Sequence, residues 1–443
     1  APKGGVLISD AVYSGLDGTL SPSFEDAGKQ QLKNIARPVS TWLRPLNQNG
    51  GQSVLANSAV KSSLPSLRIQ PVANSDPRAE LSDLADALTA DLSTYFSSIN
   101  WLDSQIDSSN VPDVYSLRPT LRARSDRLRL ETRLQSPSGD VIWTHKSDST
   151  LDDAFDWQDT VVAAISEYAV GMILEAETTR IGAIPDDQMT AEQCVLMGIM
   201  EWRDFSLNSY LRSVQFHDRA IQKNPELADA YAEAIIVSNA ARTMSNTPEI
   251  QPYLDKIPEW VDAGRPLAPG HGLLTLAVAI ATYTEDQKVI PLRSAIAQTL
   301  RLAPFDTRLL GYCGWANIWS GQTDDALECF VKAIEFGRLG PFYVAALGGA
   351  ALASVQLGRD VEALAFVNQG LAISESYSTL LVVKSATLAS LGQVEEAHAM
   401  MRRYLSMEPG RNLAAWRANN NYGRSEGGKR YFEALRVAGL PEE

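Results

Sequence analysis

The strongest constraint on the fold is a repeat in the C-terminal half of the chain. "LGRDVEALAFVNQGLAI" (357–373) and "LGQVEEAHAMMRRYLSM" (391–407) superimpose roughly 34 residues apart, and "SGQTDDALECFVKAIEF" (320–336) fits the same frame with a short insertion between. In each copy a glycine (Gly321, Gly358, Gly392) precedes a helical run that carries a small residue (Ala326, Ala363, Ala397) and then a larger one (Phe330, Val367, Met401). The glycine ends one helix and the small residue lets the next approach closely, so the repeating unit is a pair of helices. Upstream, "RAIQKNPELADAYAEA" (219–234) has the look of a junction between copies, and Pro225, Pro269, Pro304 and Pro409 stand at the inter-copy turns. Between Pro225 and Pro269 the spacing departs from the pattern. About six pairs are expected over residues 190–443.

The remaining chain reads differently. Residues 1–45 run from a short strand (Gly5–Ser9) through a helical turn near Ala11–Leu16 to a hairpin, "FEDAGKQQLKNIARPV" (24–39), with Gly28 as its turn glycine. So small a unit buries little apolar surface by itself. Residues 46–65 have the Asn, Gln, Gly and Ser content of a linker. Residues 66–178 then carry a strand at Leu67–Val72, a helix with Leu81, Leu84, Leu88, Leu92, Tyr95 and Phe96 on one face, and a three-stranded antiparallel meander. A second amphipathic helix through Val161, Ile165, Tyr168 and Met172 follows. This order implies an α+β unit with helices packed on one face of a sheet. The whole reads as an α+β N-terminal region followed by an all-α superhelix.

Length and charge exclude several classes of function. The chain has 443 residues, and its Lys and Arg (39) are outnumbered by Asp and Glu (53), for a net charge of −14. That balance disfavours nucleic acid and anionic membrane surfaces as partners. No apolar run reaches the roughly 18–20 residues of a membrane span. Three cysteines, Cys194, Cys313 and Cys329, show no metal or redox spacing. With no signal-peptide layout, the expected location is cytoplasmic.

Two resemblances add to this reading. The helical repeat resembles the tetratricopeptide (TPR) family in its period and its small, bulky and glycine positions. Residues 66–178 resemble the TolB-like domain through "RIQPVAN", "LSDLADALTADLSTYFSS", "WLDSQ" and "LRLETRLQSPSGDVIWTHKSD". The opening stretch, "GGVLISDAVYSGL" with "FEDAGKQQLKNIARPVSTWLRP", resembles the final strands and hairpin of bacterial class III adenylate/guanylate cyclases. Together these imply a C-terminal part of such a cyclase: residues 1–45 the end of its catalytic domain, 46–65 a linker, 66–178 the TolB-like domain, and 190–443 the TPR array with a C-terminal capping helix.

The cyclase resemblance places Lys33 at a lysine that contacts the nucleotide's phosphates in an intact domain. The other catalytic parts, including the metal aspartates, are expected upstream of this tail. No catalytic residue or metal ligand is therefore expected here, the chain alone is expected to be inactive, and Mg or Mn belongs to the intact parent. The expected partners are the chain's own cyclase domain, through which a homodimer would form, and a protein or peptide in the TPR groove. By the TPR register that groove is lined by Arg308, Gly311, Trp315 and Ile318, then Ala345, Gly348, Leu352 and Val355, then Val382, Ala386 and Ala389. This mostly apolar lining lacks the Lys and Asn residues of a carboxylate clamp. Either the array's own superhelix or the neighbouring domain fills it, or a partner helix or peptide docks there. Two other functions remain open: a stand-alone TPR scaffold, and a small-ligand sensor using the α+β unit.

Elsewhere the chemistry is sparse. His145, His217, His271 and His398 fit no ligand spacing and read as structural. Cys313 and Cys329 fall on the two helices of one pair and read as core thiols. The glycines of "ALGGAALAS" favour close helix packing. Arg122, Arg124, Arg127, Arg129 and Arg133 alternate with leucines, which puts them on the sheet face opposite the core. They form either a solvated face or a site for an anion or an acidic partner.

Overall fold

The structure is a computed structural model and describes residues 6–9, 25–30, 39–44, 64–107, 112–202, 206–244, 248–337, 342–419 and 421–443. The chain divides into two compact units, Ala1–Ser62 and Ser63–Glu443.

The first unit holds three antiparallel strands, β1 (Val6–Ser9), β2 (Glu25–Gln30) and β3 (Val39–Arg44), in the order β1-β3-β2. Gly28, read from sequence as the hairpin's turn residue, lies within β2. The register slips between Asp26 and Lys29, and Gly28 takes φ +71 there. Only glycine adopts that conformation without strain, so it makes a bulge. The buried Thr41 hydroxyl donates to the Gly28 carbonyl at 3.0 Å and fixes the bulge against β3. The expected helical turn at 11–16, Lys33 and residues 46–63 of the expected linker lie outside the described residues.

The second unit begins with a mixed sheet in the order β6-β4-β7-β8-β9, with β5 also paired to β7. Its strands are β4 (Ser66–Ile69), β5 (Ala73–Asn74), β6 (Asp103–Ile106), β7 (Tyr115–Arg124), β8 (Arg127–Gln135) and β9 (Val141–Thr150). β4 runs parallel to β6 and β7, and β7, β8 and β9 form the antiparallel meander. Period-two patterning sets its faces. Leu117, Leu121, Leu128, Leu130 and Leu134 are buried, and their alternate neighbours turn away. Helices α1 (Ala79–Ser97) and α2 (Ala154–Ile181) cover the buried face. α1 does so through Leu81, Ala85, Leu88, Leu92, Tyr95 and Phe96. α2 extends beyond its predicted span in both directions, running through Gly171 to its C-cap at Gly182.

The rest of this unit is helical: α3 (Ala191–Glu201), α4 (Leu207–Lys223), α5 (Ala228–Met244), α6 (Gln251–Leu254), α7 (Ile257–Gly264), α8 (Gly272–Asp286), α9 (Val289–Leu302), α10 (Thr307–Trp319), α11 (Thr323–Phe336), α12 (Tyr343–Gln356), α13 (Asp360–Ile373), α14 (Ser378–Ser390), α15 (Val394–Met407), α16 (Leu413–Asn419) and α17 (Glu426–Val437). The irregular interval after Pro225 is explained by α6 and α7, two short helices with proline in their first turns, standing where one longer second helix would be.

The repeat signature reports packing. Gly321, Gly358 and Gly392 close α10, α12 and α14 at φ +74, +74 and +78. Ala326, Ala363 and Ala397 are fully buried, as are Phe330 and Val367. Phe330 lies wedged between Gly314 of α10 and Gly349 of α12. A Cβ at Gly314 would stand 2.7 Å from its ring, and one at Gly349 only 2.3 Å. The α+β part and the array share one core, in which Ala230, Phe305 and Phe342 join the sheet-side residues Leu67, Phe96 and Ile165.

Candidate functional site

Three groups of side chains stand out: the inner face of the helical array, a buried junction between α2 and α10, and the outer face of the sheet.

The inner face is covered by the chain itself. Arg308, Ile318, Leu352, Val355, Val382, Ala386 and Ala389 are all buried. Helix α17 packs across α12 and α14, and Tyr431, Phe432 and Leu435 bring its apolar face inward. The Nε of Arg430 donates to the Val355 carbonyl at 3.1 Å, and its guanidinium pairs with Asp360. A Cβ on Gly427 would meet the Gln356 carbonyl at 2.8 Å, so glycine lets α17 approach the end of α12. Helix α16 reaches α5. Trp315, assigned to the groove from sequence, is partly buried and packs edge-on to Phe330 of its own pair, with ring centroids 5.4 Å apart. Of the expected occupants, the superhelix itself, the neighbouring domain or a docked partner, the one present here is the chain's own α17.

Arg308 serves a different purpose inside this face. Its Nη1 donates to Glu233 of α5 at 2.6 Å, and the Tyr312 hydroxyl donates to the other oxygen of the same carboxylate at 2.9 Å. Burial works against the arginine's charge, and Glu233 with Tyr312, Asp306 and Asp229 together more than offset it, so the guanidinium stays charged. Burial likewise raises the Glu233 pKa, opposed by Arg308 and Tyr312. Nearby, His217 is fully buried with neither ring nitrogen hydrogen-bonded among the described residues, and burial brings its pKa down to about 3. It is therefore neutral, and its ring fills the space against Gly198.

The junction centres on Glu167 of α2. The Thr307 amide donates to it at 3.2 Å and the Thr307 hydroxyl at 2.6 Å, while the Tyr95 hydroxyl of α1 donates from the other side. Burial and then the Asp306 carboxylate push the Glu167 pKa up to about 7, against the hydrogen bonds that favour its charged form. Asp306 caps α10 by accepting from the Leu309 amide at 3.0 Å. A second polar link joins Asn100, before β6, to Asp229 at 3.3 Å and to His271 at 3.1 Å. Sequence reading missed Glu167 and Glu233. Glu167 is the lone carboxylate of a mostly apolar helical run, "VVAAISEYAVGMIL", and Glu233 stands one turn after Asp229 at the head of another, "ADAYAEAIIVSNAA", and a buried acid needs partners.

The outer face carries the alternating arginines. Register pairs Arg118 with Arg133, Arg122 with Arg129, and Arg124 with Arg127 across β7 and β8. Arg129 makes a two-pronged bond to Asp148 of β9 at 2.6 and 2.7 Å, and Arg133 bonds Glu131 at 2.7 Å. Arg122, Arg124 and Arg127 are exposed and have no ion-pair partner within 4 Å among the described residues.

No family model matches the chain. A known protein does resemble it. The chain is 23% identical over 258 residues to the protein named "Putative adenylate cyclase 3" of Rhizobium meliloti (strain 1021), a match covering 54% of this chain and 44% of that one. The chain thus spans less than half the length of this relative. The likeness is to a protein with a cyclase's name and covers about half of this chain.

Measured against cyclase chemistry, the described residues offer no metal centre: no group of three or more His, Cys, Asp or Glu stands close enough to hold an ion. Lys33 lies outside the described residues. His145 stacks on Trp143 with centroids 5.6 Å apart, His271 caps α8 through the Leu274 amide, and His398 bonds the Val437 carbonyl. Cys194, Cys313 and Cys329 are buried free thiols, and burial raises the pKa of each. A cleft of about 310 Å³ opens between α9, α10 and α11, with Ile296, Leu300 and Leu310 in its lining and Arg293 and Asp325 among the charged residues around it. Among the described residues no helix is long and apolar enough to cross a membrane.

Proposed function

We propose that this chain is the regulatory and protein-interaction portion of an adenylate or guanylate cyclase. The likeness to "Putative adenylate cyclase 3" carries this reading, and the three strands of the first unit agree with its being the end of a cyclase domain. In this reading residues 66–178 are a TolB-like domain and 190–443 a TPR array. Mg²⁺ or Mn²⁺ and the catalytic carboxylates belong to the head, which acts as a dimer, and Lys33 contacts nucleotide phosphate within that head. Fold-level analogy supplies the relay from array to head. The shared core and the Glu167 junction support it, because a displacement of α10 is passed to α1 and α2 without an intervening flexible joint. A partner helix would reach the array's inner face by displacing α17.

The test uses the full reading frame that contains this chain, expressed whole and without residues 63–443. Cyclic nucleotide formation from ATP and from GTP is measured with each metal. A metal-dependent activity that changes on removing 63–443 supports the reading. No cyclase activity in the whole protein, or identical activity in both forms, overturns it.

A further inference from the structure

We propose that the outer face of β7–β9 docks an extended acidic segment of a partner protein. This surface stands independently of the cyclase reading. Six arginines and Lys146 share the face with only two carboxylates, Glu131 and Asp148, by strand register. The chain as a whole carries −14, so the cations are concentrated here against the overall balance.

Directly opposed like charges destabilise a sheet, yet Arg118↔Arg133, Arg122↔Arg129 and Arg124↔Arg127 place arginine opposite arginine on three rungs. The carboxylates relieve only part of this. Asp148 fixes Arg129 and Glu131 holds Arg133, while Arg122, Arg124 and Arg127 cluster towards the β7–β8 tip with no ion-pair partner within 4 Å among the described residues. That tip is held in place, because Arg78 donates to the Ser125 carbonyl at 2.9 Å. The arrangement is a rigid row of guanidinium donors, each able to bind a carboxylate through two parallel bonds.

Spacing selects the occupant. Same-face residues of a strand recur about every 6.6–6.8 Å, and an extended polypeptide with acids at alternate positions has the same repeat. Single-stranded nucleic acid fits less well, since it binds by stacking on aromatic rings. Tyr115, Trp143 and His145 all lie on the helix-covered side, with no aromatic on the outer face of these strands.

The test measures fluorescence anisotropy with the full chain and three labelled probes: an alternating Glu-Thr dodecapeptide, its Gln-Thr counterpart, and an oligo-dT strand. The Glu-Thr peptide is expected to bind, to weaken as salt rises, and to lose at least about tenfold in affinity in R122E/R124E/R127E. The single change Arg127→Ser, which carries little folding risk, is expected to weaken it in the same direction, and Lys288→Glu to leave it unchanged. Any of four results overturns the proposal: no binding of the Glu-Thr peptide, equal binding of the Gln-Thr peptide, wild-type affinity in both arginine variants, or tighter binding of oligo-dT than of the peptide.

Discussion

Glu167 and Thr307, 140 residues apart in sequence, are joined by two hydrogen bonds, one from the threonine amide and one from its hydroxyl at 2.6 Å. The carboxylate's pKa stands at about 7 in the fold against an ordinary 4.5. A carboxyl group whose pKa is raised by folding favours the folded state when protonated. Its contribution is therefore complete below about pH 4.5 and lost as pH rises through 7. Glu167→Gln keeps both acceptor bonds at Oε1 and gives Thr307 a donor in place of Oε2, without a charge to bury. Urea unfolding at pH 5 and pH 8 is expected to show the variant level with wild type at the lower pH. At the higher pH it should be more stable by an amount on the order of 3 kcal/mol. An equal difference at both values would refute the assignment.

Arg308 neutralises Glu233 where neither reaches water. Arg308→Met leaves that carboxylate buried with the Tyr312 hydroxyl but without its charge partner, and a loss of about 3–5 kcal/mol is expected. Adding Glu233→Leu should recover most of it. Chemical denaturation of the two variants checks this, and a double variant no more stable than the single one would contradict it.

Gly349→Ala drives a methyl group into the Phe330 ring. Because the nearest atoms belong to a wedged aromatic and not to a flexible chain end, overpacking of about 1–3 kcal/mol is expected. Phe330→Leu in the same chain should relieve the clash, so that the double variant unfolds at a higher temperature than the sum of the single changes predicts.

His217 is the one fully buried histidine, and both of its nitrogens lack partners among the described residues. Replacing it with leucine removes an unsatisfied polar group at nearly equal bulk. A gain of about 1–2 kcal/mol is expected near pH 8, and it should grow as pH falls below about 6.5, because the unfolded chain's imidazole takes up a proton there while the buried ring stays neutral down to about pH 3. A thermal melt that drops on this substitution would show that the ring has a partner.

How much of this was legible in the sequence depended on the range of the interaction. The two-residue period of β7 and β8 and the glycine, alanine and phenylalanine positions of the helix pairs are local, and patterning alone placed them. Gly28 was read as a turn because a lone glycine between polar residues signals one. Whether it makes a turn or a bulge is decided by the partner strand, which the pattern does not name. The covering of Leu352 and Val355 was equally hidden. A helix face shows that it is apolar, whereas its occupant, here Tyr431 and Leu435 of α17, depends on the path of the chain after α15. Glu167 left a signal in its apolar surroundings, but its partner Thr307 could be found only in three dimensions.

The seating of α17 has a mechanical consequence. A stack of helix pairs with an empty inner face behaves as a spring, since each pair touches only its neighbours and small rotations add along the axis. Here Arg430 bonds the end of α12, the apolar face of α17 rests on α14, and α16 reaches α5. These ties join coils that would otherwise slide independently. Tension applied to the array should meet a stiff clasp that resists and then releases in one step, with the freeing of α17 as the event that converts it from rod to spring.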